Sequence, residues 1–199
     1  MRFGACEQEI ETADYTFRRY SFQGDLADFC AYNADRYPHL LQSVSSGGNH
    51  RYDILFAFPE ETVVLDETGA LWLPQSFDLK PSGFLEALNF ITAASQAVRN
   101  AHNLPFIGGW FLFLAYEVVS EIETAVPVFA QQGLPRAFAA RIPVALIYDH
   151  LTSQLICVAE SSSVDLLHLP ENGWGTQARS SKAEQVQPQI RSPRSRPRE

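Results

Sequence analysis

The side chains most often used for catalysis or metal binding are spread thinly along this chain. Its five histidines stand far apart without helical ligand spacing; they are His39, His50, His102, His150 and His168. The sequence also lacks the nucleophile elbow, the phosphate loop, the zinc-protease helix motif and the dinucleotide fingerprint. The pattern therefore predicts neither a self-contained active site of these types nor a metal centre, and no cofactor is expected in this chain.

Asp149 and His150 are the best pair for acid–base chemistry, because they adjoin each other at the end of an apolar segment. A carboxylate can orient an imidazole that acts as a general base. The same pair at a hairpin corner serves turn hydrogen bonds, and we favour that interpretation. Cys30 and Cys157 lie within apolar patterns and are predicted to pack in the core rather than to act as nucleophiles.

Composition indicates one acidic globular domain, residues 1–160, followed by a basic tail, residues 161–199. The formal net charge of −8 is unsuited to a body that binds nucleic acid. Three cysteines without a CxxC pair predict no disulfide framework and favour the reducing cytoplasm. No secretory signal or membrane-spanning segment is recognised, so no membrane partner is expected.

Strands dominate the predicted elements of the first half. Residues 15–22 alternate as in a strand with one wet face, and Asp25 can cap a helix over 25–36 that buries Leu26, Phe29 and Cys30. A short strand within 38–43 and a stronger one over 51–59 follow. Residues 61–66 and 70–73 flank a turn and predict a hairpin.

The longest apolar run, 104–117, is interrupted by Gly108 and Gly109 and closes with Tyr116 and Glu117. We predict a buried strand covered on both sides, with another part of the protein packed tightly against the glycines. A helix capped by Ser82 is predicted over 82–99, a short helix over 116–123, and a hairpin from 140–150 and 154–160. Because most consecutive strands are hairpin-connected, the fold class is α+β, with largely antiparallel packed sheets and flanking helices.

The tail, residues 161–199, is rich in Ser, Pro and Arg and is predicted to be disordered. We interpret its terminal arginines as a solvated end rather than a nucleic-acid site. They are Arg191, Arg194, Arg196 and Arg198.

Four motifs occur in a set order between residues 38 and 160. They are LLQS at 40–43, RYDI at 51–54, PFIGG at 105–109 closing with Tyr116 and Glu117, and LPRAFAARIPVALIYDH at 134–150. Together they resemble the amino-terminal region of the anthranilate synthase and aminodeoxychorismate synthase component I family, which aminates chorismate. The RYDI motif without a following glycine is more similar to the aminodeoxychorismate branch, which makes 4-aminobenzoate (para-aminobenzoate) for folate biosynthesis. Trp110, Leu112 and Ala115 depart from the small residues that the family has there.

The resemblance implies an α+β domain with a buried pocket for tryptophan or a similar amino acid, and a surface that helps dock a glutamine amidotransferase subunit. By motif match the pocket residues are Ser43, Asn49, His50, Arg51 and Tyr52, with Asp53 beside them. Serine hydroxyl and strand-edge groups can hold an ammonium and a carboxylate. The alternative is structural, in which Ser43 ends a strand and Arg51 pairs with Asp53 on the surface.

The family's chorismate-binding domain, with its Mg²⁺-binding glutamates, has no counterpart in these motifs. The resemblance therefore predicts a truncated large subunit that has no chorismate-aminating activity alone. Two alternatives stay open: a stand-alone tryptophan-sensing module, and one half of a split anthranilate synthase with a separate chorismate-binding domain as its partner. An apolar face that such a domain normally covers would make the chain self-associate.

Overall fold

The computed structural model describes residues 2–42, 51–78, 80–94, 98–123, 125 and 133–168, and its strands form two β-sheets. Sheet A contains β1 (Arg2–Glu11), β2 (Tyr15–Gln23), β3 (His39–Leu41), β4 (Tyr52–Ala57), β9 (Val144–Asp149) and β10 (Gln154–Glu160). Sheet B contains β5 (Thr62–Leu65), β6 (Leu71–Trp72), β7 (Gly109–Leu114) and β8 (Ala137–Ile142). The strand orders are β1-β2-β10-β9-β4-β3 and β6-β5-β8-β7.

Helices are few and short in the part of the chain that the structure describes. They are α1 (Ala27–Tyr32), α2 (Phe84–Ala94), and two 3₁₀ helices, Tyr116–Glu121 and Ser161–His168, the second of which is kinked at Ser163. Every strand pair in the described part of the chain is antiparallel. The predicted fold, sheet-dominated α+β with antiparallel sheets, is confirmed for these residues.

Sheet A is packed on both faces. One face buries Leu26 and Phe29 of the α1 region together with Leu167, and the other is covered by Leu104 and its neighbours. Thr16 and Arg18 of β2 are consequently buried at 1% and 8% exposure. The expectation of one wet face on this strand was wrong, because both faces of the sheet meet other parts of the chain.

Strand β1 is an element that the sequence analysis missed. Its residues are exposed apart from two of intermediate burial, so it lacks the alternation that marks a strand with one buried face. It pairs with β2 along the edge of sheet A, and its register shifts on either side of Cys6.

Pro143 divides the predicted strand over 140–150 between the two sheets. Residues before it belong to β8 in sheet B, and residues after it belong to β9 in sheet A. Proline cannot donate a ladder hydrogen bond, but its carbonyl accepts one from the N–H of Glu160 at 3.0 Å. The hairpin of β9 and β10 is confirmed, as is the hairpin of β5 and β6.

Strand β7 occupies the edge of sheet B rather than a position covered on both sides. Leu112 and Leu114 are 43% and 51% exposed, so the prediction of a doubly covered strand was wrong. Tight packing is confirmed at Gly108, where φ is +119° and a Cβ would collide with the Glu160 side chain. At Gly109 the nearest atom to such a Cβ is on Phe106 at 3.9 Å, which is ordinary contact.

The helices differ from their predictions at their ends. Helix α1 ends at Tyr32, since Asn33 is already extended, although Leu26 and Phe29 are buried as expected. The backbone N–H groups of Phe84 and Leu85 in α2 donate to the Glu121 carboxylate at 2.8 Å each. This distant acidic residue caps the helix, whereas the Ser82 hydroxyl donates to Glu86.

Residues 95–97, within the predicted helix over 82–99, lie outside the described residues. The predicted helix over 116–123 is the 3₁₀ helix Tyr116–Glu121.

The folded part includes Leu167, which is 2% exposed and packs against the core of sheet A. The folded part therefore extends beyond residue 160, where the sequence analysis placed the end of the domain. Residues 169–199, most of the predicted tail, lie outside the described residues.

Candidate functional site

A small cavity opens on sheet A where β4 begins, β9 ends and the chain leaves β2. Its volume is about 180 Å³. It is lined by Phe22, Gly24, Asp25, Leu26, Gln42, Asp53, Tyr148 and His150. The lining therefore combines two carboxylates, an amide and an imidazole with aromatic and aliphatic walls.

The sheet register explains why these residues meet. Asp53 of β4 lies directly opposite Tyr148 of β9, so both side chains are on the same face of sheet A. His150 follows Tyr148 by one alternation, and its ring packs edge-on against the Tyr148 ring at 4.9 Å between centroids. The Tyr148 ring also contacts Phe22, at 6.0 Å.

Polar contacts fix the acidic side chains of the cavity. The Asp53 carboxylate, whose side chain is 6% exposed, lies 2.9 Å from His150 Nε2. The Gln42 amide donates to Asp25 Oδ1 at 3.0 Å and to Asp53 Oδ2 at 3.5 Å, so it bridges the two carboxylates.

Asp149 and His150 lie on opposite faces of β9 and its continuation, and each has a different partner. Arg51 donates from Nε and Nη2 to Asp149 at 3.3 Å and 3.0 Å. Burial raises the pKa of Asp149, but hydrogen bonds from Arg51 and the Leu151 backbone outweigh it, so the pKa is lowered overall. Because Asp149 also accepts the N–H of Leu151, the turn interpretation is confirmed, and Asp149 is not the carboxylate that contacts His150.

The predicted pocket residues are only partly accounted for. Arg51 and Tyr52 stack on each other, with the guanidinium 4.7 Å from the ring centroid, and Tyr52 packs on the face of sheet A opposite the cavity. The predicted surface pair of Arg51 with Asp53 is wrong, since Arg51 pairs with Asp149 and Asp53 with His150. Ser43, Asn49 and His50 lie outside the described residues.

Asp25, Gln42 and Tyr148 line the cavity but were not recognised as site residues. Gln42 directly precedes Ser43 in the LLQS motif, and Asp53 directly follows Tyr52 in the RYDI motif. Strand alternation was the available signal, because it places Asp53 and Tyr52 on opposite faces. The closeness of Asp25 depends on the path of the chain after β2, which local patterns do not report.

The cysteines behave as packing residues. Burial raises the pKa of Cys157 to about 12 and also raises the pKa of Cys30. A thiol with a raised pKa is protonated at neutral pH and is a poor nucleophile. This agrees with the interpretation made from their apolar sequence patterns.

A larger, more open cleft of about 820 Å³ lies beside Gly108 and Gly109. In this cleft Arg141 pairs with Glu160, and the Ser76 hydroxyl donates to Glu61 at 2.8 Å. The smaller cavity has the more concentrated set of convergent polar groups, and it coincides with the motif positions, so it is the better candidate site.

Among the residues that the structure describes, no group of three or more His, Cys, Asp or Glu side chains is placed to hold a metal ion. In the same residues, no helix is both long enough and apolar enough to cross a lipid bilayer.

Solved structures include chains that are similar to this one. No protein-family model matches the chain, and no curated protein is similar to it. The structure of anthranilate synthase component I from Streptococcus pneumoniae is similar to it, with a TM-score of 0.45 and 18% identity over 65% of this chain. The match spans 32% of the length of that protein. A likeness at this level assigns no function, so the chemistry of the cavity has to support one.

Proposed function

We propose that this chain is an amino-acid-binding domain of the kind found at the amino terminus of chorismate-utilising synthases. Its ligand is an amino acid with an apolar side chain, of which tryptophan is the leading candidate. The observation that carries the proposal is the cavity lined by Asp25, Gln42 and Asp53. It lies beside the two motif segments that the sequence selects for the pocket, LLQS and RYDI.

The cavity chemistry suits the ammonium group of an amino acid. Asp25 and Asp53 face one space and are bridged by a single amide. An ammonium donates three hydrogen bonds, and charge-assisted bonds to carboxylates are about twice as strong as neutral ones. The carboxylates therefore form the recognition end of the site.

The remaining walls suit an apolar side chain. Phe22, Leu26 and Tyr148 surround the polar end. A cavity of about 180 Å³ is smaller than the roughly 300–1,000 Å³ of pockets for drug-sized ligands, and it matches the head group of an amino acid. Ser43, the next residue after Gln42, and the nearby Asn49 and His50 complete the proposed site.

The wider role is part of the same proposal. Amination of chorismate takes place on a separate chorismate-binding domain, and the present domain helps to dock a glutamine amidotransferase subunit. The RYDI motif favours aminodeoxychorismate synthesis over anthranilate synthesis. Turnover of chorismate by the pure chain with ammonium and Mg²⁺ would contradict this division of labour.

Calorimetric titration of the chain with L-tryptophan tests the pocket. Three ligands separate its parts: L-tryptophan, tryptamine without the carboxylate, and indole-3-propionate without the ammonium. If the carboxylates recognise the ammonium, tryptamine retains binding that indole-3-propionate loses.

Variants locate the binding. Asp53→Asn should weaken L-tryptophan binding at least about tenfold, because it removes the charge that faces the ammonium. Ser43→Ala should weaken it less. The matched control is Asp35→Asn, which makes the same charge change at an exposed position outside the cavity. Circular dichroism confirms that each variant is folded, and binding that Asp53→Asn leaves unchanged would refute the proposed site.

A further inference from the structure

The four edges of the two sheets differ in how they are protected against pairing with another strand. Proteins commonly protect edges by charge, bulges or very short strands. On sheet A, β1 carries Glu7, Glu9 and Glu11 with register shifts, and β3 has only three residues. On sheet B, β6 has two residues.

Strand β7 has none of these protections. It has six residues, GWFLFL, and contains neither a charged residue nor a proline. Leu112, Phe113 and Leu114 are 43%, 37% and 51% exposed. Among the described residues its only strand partner is β8.

The backbone of β7 is placed to accept another strand. The N–H of Ala115, just after the strand, donates to the carbonyl of Arg136 at 2.8 Å on the β8 side. Alternation along an antiparallel strand then directs the N–H and C=O groups of Leu114, Leu112 and Trp110 away from β8. These outward-facing N–H and C=O groups form a row of hydrogen-bond donors and acceptors. Another β-strand has the complementary groups, whereas a purely apolar surface does not.

We propose that β7 pairs with β7 of a second copy of this chain, antiparallel and across a two-fold axis. Such an interface is self-complementary, so each exposed Leu112, Phe113 and Leu114 packs against apolar residues of the same strand in the other copy. An uncharged strand brings no like charges together in this arrangement. The same pairing through β1 would set the glutamates of two copies against each other. The β7 pairing joins two four-stranded sheets into one.

Sedimentation of the full 199-residue chain over a range of concentrations tests this pairing. The wild-type chain should form a dimer, and Leu112→Lys should raise the dimer dissociation constant at least about tenfold, because it places a charge in the paired edge. Leu114→Lys should act in the same direction and provides a second variant if the first fails to fold. Circular dichroism and thermal unfolding identify a folding failure.

Gln8→Lys on β1 is the matched control, since Gln8 is exposed on the other long edge and the charge change is the same. With a net charge of −8, any added lysine lowers the overall repulsion between copies. If a lysine weakens the dimer when it is placed in β7 but not when it is placed in β1, the contact between the two copies is at β7. Added salt should tighten the dimer by screening the same repulsion.

Three results would overturn the proposal. They are a wild-type chain that stays monomeric at all concentrations, equal effects of Leu112→Lys and Gln8→Lys, and a dimer that weakens as salt is added.

Discussion

Sheets A and B differ in how completely the chain covers them. Sheet A is packed on both faces, its long edge is charged and irregular, and its other edge is short. Sheet B is packed against α2, but its β7 edge is apolar and exposed. Among the described residues sheet A is therefore covered more completely than sheet B, and sheet B carries the exposed edge at which we propose that another strand pairs.

The largest expected effect is on stability, and it compares a buried residue at the centre of sheet A with an exposed residue at the edge of sheet B. Leu155 of β10 is 0% exposed, so Leu155→Ala should cost about 2–5 kcal/mol of unfolding free energy through lost burial and a cavity. Leu112→Ala on β7 should cost less than about 1 kcal/mol, because Leu112 is already 43% exposed. Urea unfolding at low protein concentration measures both. Similar losses for the two variants would remove the distinction between the sheets.

Alanine substitutions at Gly108 and Gly109, where β7 begins, test the contact between the two sheets. Both glycines have positive φ, +119° and +134°, so an alanine at either position should cost about 1–3 kcal/mol in backbone strain. Gly108→Ala should cost about 1–2 kcal/mol more than Gly109→Ala, because its Cβ displaces Glu160 from Arg141.

Gly109→Ala is the matched control for strain without collision. Urea unfolding of the two variants gives the difference directly. Equal costs would mean that the Glu160 side chain moves aside freely and that the sheets are not held together at this point.

The sequence predicted strands best where turn or loop residues bound short strand-forming segments. The strand segments of β3 and β4 and the hairpin of β5 and β6 show it, and so does the antiparallel class of the fold. It failed for β7, because an apolar run has the same appearance whether it lies at the centre of a sheet or at an open edge. It also failed at Pro143, where a continuous β-type pattern passes from one sheet to the other.

The sequence predicted which segments adjoin the candidate site but not which residues line it. The two motifs that predicted the pocket, LLQS and RYDI, contain Gln42 and Asp53. Face assignment by alternation would have chosen Asp53 over Tyr52, while Asp25 and His150 depended on long-range register. The ion-pair partner of Arg51 could not be inferred from its neighbours in sequence, since that partner is Asp149.

Glu121 tests how α2 is held on sheet B. Its carboxylate accepts the first free N–H groups of the helix, so Glu121→Ala should cost about 0.5–2 kcal/mol of unfolding free energy. Glu117→Ala in the same 3₁₀ helix is the control for removing a carboxylate that does not cap α2. Thermal unfolding compares the two. If both variants lose the same stability, the capping contact contributes nothing of its own.

The smallest expected effect concerns the turn between β5 and β6, and it appears as a pH dependence. Asp66 accepts hydrogen bonds from the Thr68 hydroxyl, the Trp72 indole and two backbone N–H groups, and these lower its pKa from 3.8 to about 2. A lowered pKa in the folded state contributes stability that is present above about pH 4 and is lost as the pH falls through about 2. Because the carboxylate is near the surface, solvent screens this contribution and it should be small.

Asp66→Asn should therefore lower stability above about pH 4 and bring variant and wild type closer together as the pH falls toward 2. Urea unfolding midpoints at several pH values measure the difference. Asp35→Asn makes the same charge change at an exposed position outside the turn and is the matched control. A difference that stays constant for Asp66→Asn would show that the turn holds the charged and neutral forms equally, and that this part of sheet B does not depend on the carboxylate charge.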